Sequence, residues 1–391
     1  MLLCERATPA VRGGRGSACR GSDGCFHDTE PAARRCRVPL SLAIALSIPA
    51  VVLSWAGVYA FRRWAEQRGI LDLPNERSSH TRPTPRGGGV VIAGISLAFG
   101  AVLAAGSGGA EARRLFAPYA LGAVLVSAVS WLDDLRSLPR GIRLAIHAAA
   151  AAAAVAGLGF WETIAVPVLG PLAIGWLGPA LALLWIVGLT NAYNFMDGID
   201  GIAAGQAVAA GTGWYLAARS DGPAFVAGFA LLVAAASLGF LLHNWSPARI
   251  FMGDVGSAFL GYTLAVMPIA YARCAGGSAA SGAPWLGVLL VWPFVFDTGF
   301  TFVRRLLKGE NVFEAHRSHL YQRLVAAGWS HARAAALYVG MACAGVPAAL
   351  AWARGSAGAG AVSLALAAAL ASALWLLVIL QERGGAQAAR E

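Results

Sequence analysis

Asn191-Ala-Tyr-Asn194-Phe-Met-Asp197-Gly-Ile-Asp200-Gly201 is the stretch on which the reading of this chain turns. It sets two amides, two carboxylates and two glycines between apolar runs, Leu177 to Leu189 before it and much of Ile202 to Ala218 after it. Asn191, Asn194 and Asp197 stand at i, i+3 and i+6, which is one face of a helix if the preceding helix continues that far. Gly198 and Gly201 would then loosen the backbone where two helices meet. A plain polar turn between membrane helices is the alternative. The content exceeds what a turn needs. Carboxylates beside amides at a membrane surface suit a hard cation and a phosphate, and ionisable groups near membrane depth are functional by default.

The surrounding composition sets the class. Of 391 residues, 58% are hydrophobic and only 13% charged, about half the usual quarter for soluble proteins. Abundant Ala and Gly suit close helix packing in lipid. The chain is expected to be an all-α polytopic membrane protein. The net charge of +10 is not a nucleic-acid signal, because all but one of the 30 basic residues (Lys308) are arginines, mainly in loops. Their expected partners are the lipid bilayer and phosphates. The six cysteines include no C-x-x-C pair, so no zinc site is supported.

Apolar windows long enough to span a bilayer fall at about 38–61, 88–107, 115–132, 142–160, 177–195, 201–218, 224–243, 255–272, 284–303, 334–353 and 360–380. That makes about eleven helices within one membrane domain, 38–383, followed by a short cytoplasmic tail, 384–391. The segment Ile164 to Gly175, broken by Pro167, Gly170 and Pro171, reads as a short hairpin at the membrane surface. Residues 1–37 are Arg-, Gly- and Cys-rich without apolar periodicity. They read as a disordered tail or as the product of a start placed too early.

Basic residues set the orientation. Alternate loops and the C-terminus hold eighteen of them, the other face only five. The richer face is expected to be cytoplasmic.

Further polar clusters fall on that same face. His80-Thr-Arg-Pro-Thr-Pro-Arg86-Gly87-Gly88-Gly89 offers a backbone that a ligand can approach and an arginine for a phosphate. A Gly-rich helix start with a positive-inside arginine is the plain alternative. Trp131-Leu-Asp133-Asp134-Leu-Arg136 sets adjacent carboxylates near the bilayer, costly unless paired, protonated or metal-bound; simple neutralisation by Arg136 or Arg143 is the plain alternative. His147 reads as a packed helix histidine. Asn244-Trp-Ser-Pro-Ala-Arg249-Ile-Phe251-Met-Gly253-Asp254-Val-Gly256-Ser257 places a carboxylate and free amides at a helix N-terminus, where Asp254 is alternatively only a cap. Asp297 is either functional or bonded across helices to hydroxyls. His316-Arg317-Ser318-His319-Leu-Tyr321-Gln322-Arg323 suits phosphate or sugar–nucleotide contacts better than zinc, which lacks further ligands there.

Together these clusters resemble the polyprenyl-phosphate N-acetylhexosamine-1-phosphate transferases, a branch of glycosyltransferase family 4, over about residues 60 to 330. The N-x-x-N-x-x-D-G-x-D-G, D-D and F-M-G-D-x-G-S elements match residue for residue. The resemblance implies a magnesium enzyme with a cytoplasmic cleft, which transfers an N-acetylhexosamine-1-phosphate from a UDP-sugar to undecaprenyl phosphate and releases UMP. It puts Asn194 and Asp254 where the family binds magnesium and matches Asp133, Asp134 and Asp197 to its catalytic carboxylates. Asp200 and Phe251 match nucleotide contacts. Arg86, Asn191, His316, Arg317 and His319 complete the expected substrate contacts. H-R-S-H-L-Y-Q departs from the histidine run of the peptidoglycan branch. It looks like the O-antigen and surface-polysaccharide branch, which disfavours a muramoyl-pentapeptide donor. A homodimer is left open. The rival reading, a cation-coupled secondary transporter, suffers from the lack of an internal repeat and from polar groups crowded on one face.

Overall fold

The structure is a computed structural model of the chain and describes residues 40–74, 82–107, 110–167, 169–219, 223–311, 316–355 and 358–388. The N-terminal stretch 1–37 and His80 lie outside the described residues. Thirteen helices run in the order α1 (Leu40–Arg68), α2 (Gly89–Gly106), α3 (Ala110–Arg136), α4 (Arg140–Leu158), α5 (Leu177–Met196), α6 (Ile202–Ala218), α7 (Ala224–Asn244), α8 (Asp254–Cys274), α9 (Gly277–Leu290), α10 (Trp292–Leu307), α11 (Leu320–Ala326), α12 (His331–Ala353) and α13 (Ala359–Ala388). Among the described residues nine helices are long and apolar enough to cross a membrane, ten if the bent pair α9–α10 is one span.

Each apolar window of the sequence falls on helix. Two departures from simple spans have physical causes. The window at 284–303 is broken at Val291, and its halves meet at 76°. Val291 leaves helical geometry at φ −123° and ψ 18°, and Pro293 opens the next helix, where its missing N–H costs nothing. Helix α6 has 17 residues, about 25 Å at 1.5 Å per residue, less than the roughly 30 Å hydrocarbon core. It is buried among other helices instead of facing lipid. Helix α13 continues to Ala388, past residue 383, where a tail was expected.

The expected hairpin is present, with β3 (Thr163–Val166) antiparallel to β4 (Gly170–Ala173). A second strand pair, β1 (Leu71–Asp72) with β2 (Thr84–Pro85), was not anticipated. It brings the chain before α2 onto the helix ends.

Helix α8 is the axis of the bundle: 94% of its apolar window is buried, against 22% for α1 and 17% for α13. A helix apolar all round belongs inside. Small residues let neighbours close on it. A Cβ on Gly89 would lie 2.2 Å from the Gly256 Cα, and one on Gly261 would lie 2.9 Å from the Thr190 Cα. Helices α2, α3 and α5 therefore converge on α8, and their polar ends meet at its N-terminus.

Candidate active site

Backbone pairing builds the frame. The Phe251 amide donates to the Pro85 carbonyl at 2.8 Å, and the Gly88 and Gly89 amides donate to the Phe251 and Met252 carbonyls at 3.1 and 2.9 Å. Gly87 and Gly253 both have positive φ, +90° and +74°. A Cβ on Gly253 would stand 2.7 Å from Asp134 Oδ2 and 3.0 Å from the Gly87 Cα. The glycines expected to admit a ligand thus admit another stretch of chain. Arg86 donates from Nη2 to the Asp134 carbonyl, which turns its guanidinium toward the end of α3.

The two adjacent aspartates divide. Asp134 is buried, and its Oδ1 and Oδ2 accept the Asp254 and Val255 amides at 3.1 and 3.2 Å. It caps α8 from another helix, so the amides expected to be free for a phosphate are occupied. Asp133 accepts the Leu138 amide at 2.6 Å and pairs with Arg143 Nη1. The same Arg143 nitrogen stands 2.8 Å from Asp254 Oδ2. Arg143 neutralises Asp133, as the plain alternative has it, and is shared with a second site carboxylate, Asp254. Its sequence signal is its place in the first turn of the helix after the D-D pair.

Helix α5 runs through Met196, so Asn191 and Asn194 do share its face. Asn194 Oδ1 accepts the Ser257 hydroxyl at 2.9 Å, and its side chain also bonds Asp254. Asn191 donates back to the Val187 carbonyl at 2.7 Å. Asp197 caps α5. Among the described residues no donor reaches its carboxyl oxygens. Burial, then the charges of Asp254, Asp134 and Asp200, push it up to about 8.

Asp200, expected as a nucleotide contact, has protein partners on both oxygens. Its oxygens accept the Ala248 amide at 3.1 Å and stand 3.3 Å from His331 Nδ1. Burial raises this carboxyl, but His331, the Ala248 amide and Ser246 outweigh it and hold the group below its ordinary range. Gly201, at φ +77°, donates its amide to Asn244 Oδ1 at 2.9 Å, and Asn244 Nδ2 donates to the Ile250 carbonyl at 3.0 Å. Asp200 and Asn244 are struts for the loop that carries half-buried Phe251. Asn244 and Ser257 were quoted in the motif, but nothing in their spacing reveals these partners.

The last cluster lies beside the α5 end. His316 is half-buried and its Nδ1 is 2.9 Å from the Ser318 hydroxyl. Burial, His319 and Arg305 bring it down to about 4. Arg317 is exposed. His319 is buried, and its Nδ1 is 3.2 Å from Asp297 Oδ1. Asp297 itself bonds the Tyr338 hydroxyl of α12 at 2.6 Å, the cross-helix alternative, and the Thr301 hydroxyl within α10 at 3.1 Å.

The helix ends thus gather Arg86, Asp133, Asp134, Arg143, Asn194, Asp197 and Asp254 into one cluster. Fold and site define a polytopic helical membrane protein whose carboxylates and arginines converge at the ends of its central helices. Residues 116–272 match the model of glycosyl transferase family 4. A probable undecaprenyl-phosphate N-acetylglucosaminyl 1-phosphate transferase of Bacillus subtilis is 32% identical over 271 residues, 69% of this chain and 74% of that protein. A decaprenyl-phosphate N-acetylglucosaminephosphotransferase of Mycobacterium tuberculosis is 31% identical over 329 residues, 76% of this chain and 79% of that one. A phospho-N-acetylmuramoyl-pentapeptide-transferase of a Synechococcus species is 30% identical over 305 residues, covering 74% and 85%. The chain belongs to glycosyl transferase family 4, as its motifs led one to expect.

Proposed function

We propose that the protein transfers an N-acetylhexosamine-1-phosphate from a UDP-sugar to undecaprenyl phosphate at the cytoplasmic face of a bacterial inner membrane, releasing UMP. The relatives' names support a polyprenyl-phosphate acceptor and a hexosamine phosphate. The observation that carries the reading is the convergence of Asp133, Asp197 and Asp254 with Arg86 and Arg143 at the ends of apolar helices. A lipid phosphate enters there from the bilayer and a nucleotide sugar from water. The H-R-S-H-L-Y-Q stretch favours a surface polysaccharide such as O-antigen as the product served. The transporter reading has no support.

The residues fit magnesium. Asn194 and Asp254 would hold it, with Asp197 as the nearby carboxylate that lacks a protein donor. Among the described residues no three His, Cys, Asp or Glu side chains form a complete metal site. Magnesium is commonly bound by one or two carboxylates, with water and substrate phosphate completing its shell. Bound there, it would offset the charge of the donor diphosphate.

The chain's own residues orient the reactants. Arg143 and Arg86 offset anionic charge, and near-in-line placement supplies much of the rest. Neither Asp133 nor Asp134 is an open nucleophile, since all four of their oxygens are engaged. The acceptor phosphate has a second pKa near 6 and is mostly dianionic at neutral pH. One of its oxygens bonds the β-phosphorus directly, and the bond from that phosphorus to the UMP oxygen breaks. Asp133 orients through Arg143. The test is purified protein with undecaprenyl phosphate, magnesium and a panel of UDP-N-acetylhexosamines, read by mass spectrometry of the lipid. No lipid diphosphate sugar from any donor would overturn the reading.

A further inference from the structure

We infer that Asp297 is a positioning residue for this transfer. It holds α11 so that the Tyr321 hydroxyl fixes the backbone between Asn194 and Asp200. The inference takes the proposed function as its frame, but its geometry is independent of the donor.

Asp297 lies in α10, just past the 76° bend, and is fully buried. A carboxylate out of water is costly unless its oxygens are satisfied. Here five donors reach it. Oδ1 takes the Thr301 hydroxyl at 3.1 Å, His319 Nδ1 at 3.2 Å and the Leu320 amide at 2.9 Å. Oδ2 takes the Tyr321 amide at 3.2 Å and the Tyr338 hydroxyl at 2.6 Å. Two of these donors are the first amides of α11, which lack partners inside that helix. One side chain therefore ties α10, α11 and α12 together and sets where α11 begins.

What α11 carries reaches the site. Tyr321 is fully buried, and its hydroxyl donates to the Phe195 carbonyl at 3.0 Å. Phe195 sits in the last turn of α5, where carbonyls have no intrahelical donor, between Asn194 and Asp197. The same hydroxyl lies 2.1 Å from where a Cβ of Gly198 would be, and the Tyr321 Cζ lies 3.0 Å from it. Gly198 has no positive φ, so its backbone does not demand glycine; the phenol does. The loop holding Asp197 thus rests on Tyr321, and Tyr321 is held by Asp297.

The test uses the full chain in nanodiscs with Tyr321→Phe, Asp297→Asn, Gly198→Ala and the double change Gly198→Ala with Tyr321→Phe. Tyr321→Phe should lower kcat about tenfold with both KM values within about twofold, as expected of a displacement smaller than the ångström that costs on the order of a hundredfold. Gly198→Ala should lose activity, and removing the Tyr321 hydroxyl should restore part of it, a coupling that only contacting residues show. Hydrogen exchange at residues 195–201 should quicken in Tyr321→Phe and Asp297→Asn while exchange in α8 holds. If Asp297→Asn does not fold, Tyr321→Phe decides alone. Wild-type exchange at 195–201 in folded Tyr321→Phe, or no coupling in the double variant, overturns the inference. A wild-type protein that transfers no sugar phosphate would sink the proposed function, and the exchange data would still decide this one.

Discussion

Asp134→Asn separates a cap from a catalyst. In the structure both oxygens of Asp134 accept backbone amides at the start of α8, at 3.1 and 3.2 Å. Asparagine keeps one acceptor oxygen and turns an NH2 group toward the other amide. One charge-assisted bond is lost and one buried N–H is left without an acceptor, a cost of about 1.5–3 kcal/mol. That lies at or above the usual range for losing an N-cap, roughly 0.5–2 kcal/mol. At about 2–4 °C per kcal/mol for a large domain, melting should fall on the order of 5 °C. Activity should fall too, because Asp254 rides on the end of α8 that moves. The assay is a paired measurement in detergent, thermal unfolding beside UMP release, with Asp133→Asn as comparator. A folded Asp134→Asn protein with wild-type melting and no activity would refute the cap and return Asp134 to chemistry.

Four further outcomes are expected. Asp254→Asn should abolish transfer while the protein still purifies, with EDTA mimicking it reversibly; substantial activity at saturating magnesium removes Asp254 from the metal's ligands. Phe251→Ala should weaken UDP-sugar binding more than lipid binding, by roughly 1–3 kcal/mol if the ring stacks on the base, and an unchanged donor KM counts against stacking. Asp200 gains stability from a lowered carboxyl; Asp200→Asn should therefore destabilise above about pH 4, the difference fading as acid protonates the wild-type group, and a constant difference down to acid pH would contradict it. Labelled UMP should not exchange into UDP-sugar without lipid; exchange abolished by Asp133→Asn would establish a covalent intermediate and end the direct-attack proposal.

The spans were legible because lipid demands long apolar runs, and the β3–β4 hairpin because two prolines and a glycine crowd into the five residues from Pro167 to Pro171, whereas the membrane helices take their prolines one at a time. Val291 was less legible: its window reads as one span, and Pro293 is the only local sign of the break. The site's membership was legible from residue type, but its division of labour was not. Asp133 and Asp134 are neighbours on α3, roughly 100° apart around the axis, and only the packing of α8 decides that one faces Arg143 and the other two amides. His319 and Asp297 are 22 residues apart, and no periodicity links them. Gly87, Gly88 and Gly89 look like a ligand cradle in sequence; their partners, Phe240, Ile250, Gly253 and Gly256, appear only once α2 and α7 are laid against the α8 end.

Charge at the helix ends explains why the proposed chemistry carries a cation. Helices α3 and α5 end at the cluster, so their partly negative C-termini point into it. Each adds carboxylates there, Asp133 and Asp134 on α3 and Asp197 after α5, where the helix dipole disfavours them. Helix α8 begins at the cluster with its partly positive end, and Asp134 takes that up at close range. Asp133 and Asp254 share Arg143. Among the described residues Asp197 has neither amide nor arginine on its carboxyl, and burial, then the charges of Asp254, Asp134 and Asp200, raise it to about 8. The two phosphate-bearing substrates proposed for this site would add negative charge. Arg86, aimed at the α3 end, offsets a part. A divalent cation at Asn194 and Asp254, within the field that Asp197 feels, would offset the remainder and bind more firmly with the donor diphosphate than alone. Donor and metal should therefore raise each other's affinity by the same factor. Titrating magnesium with and without UDP-sugar, and UDP-sugar with and without magnesium, measures both legs. Equal metal affinity in the presence and absence of donor would remove this charge argument.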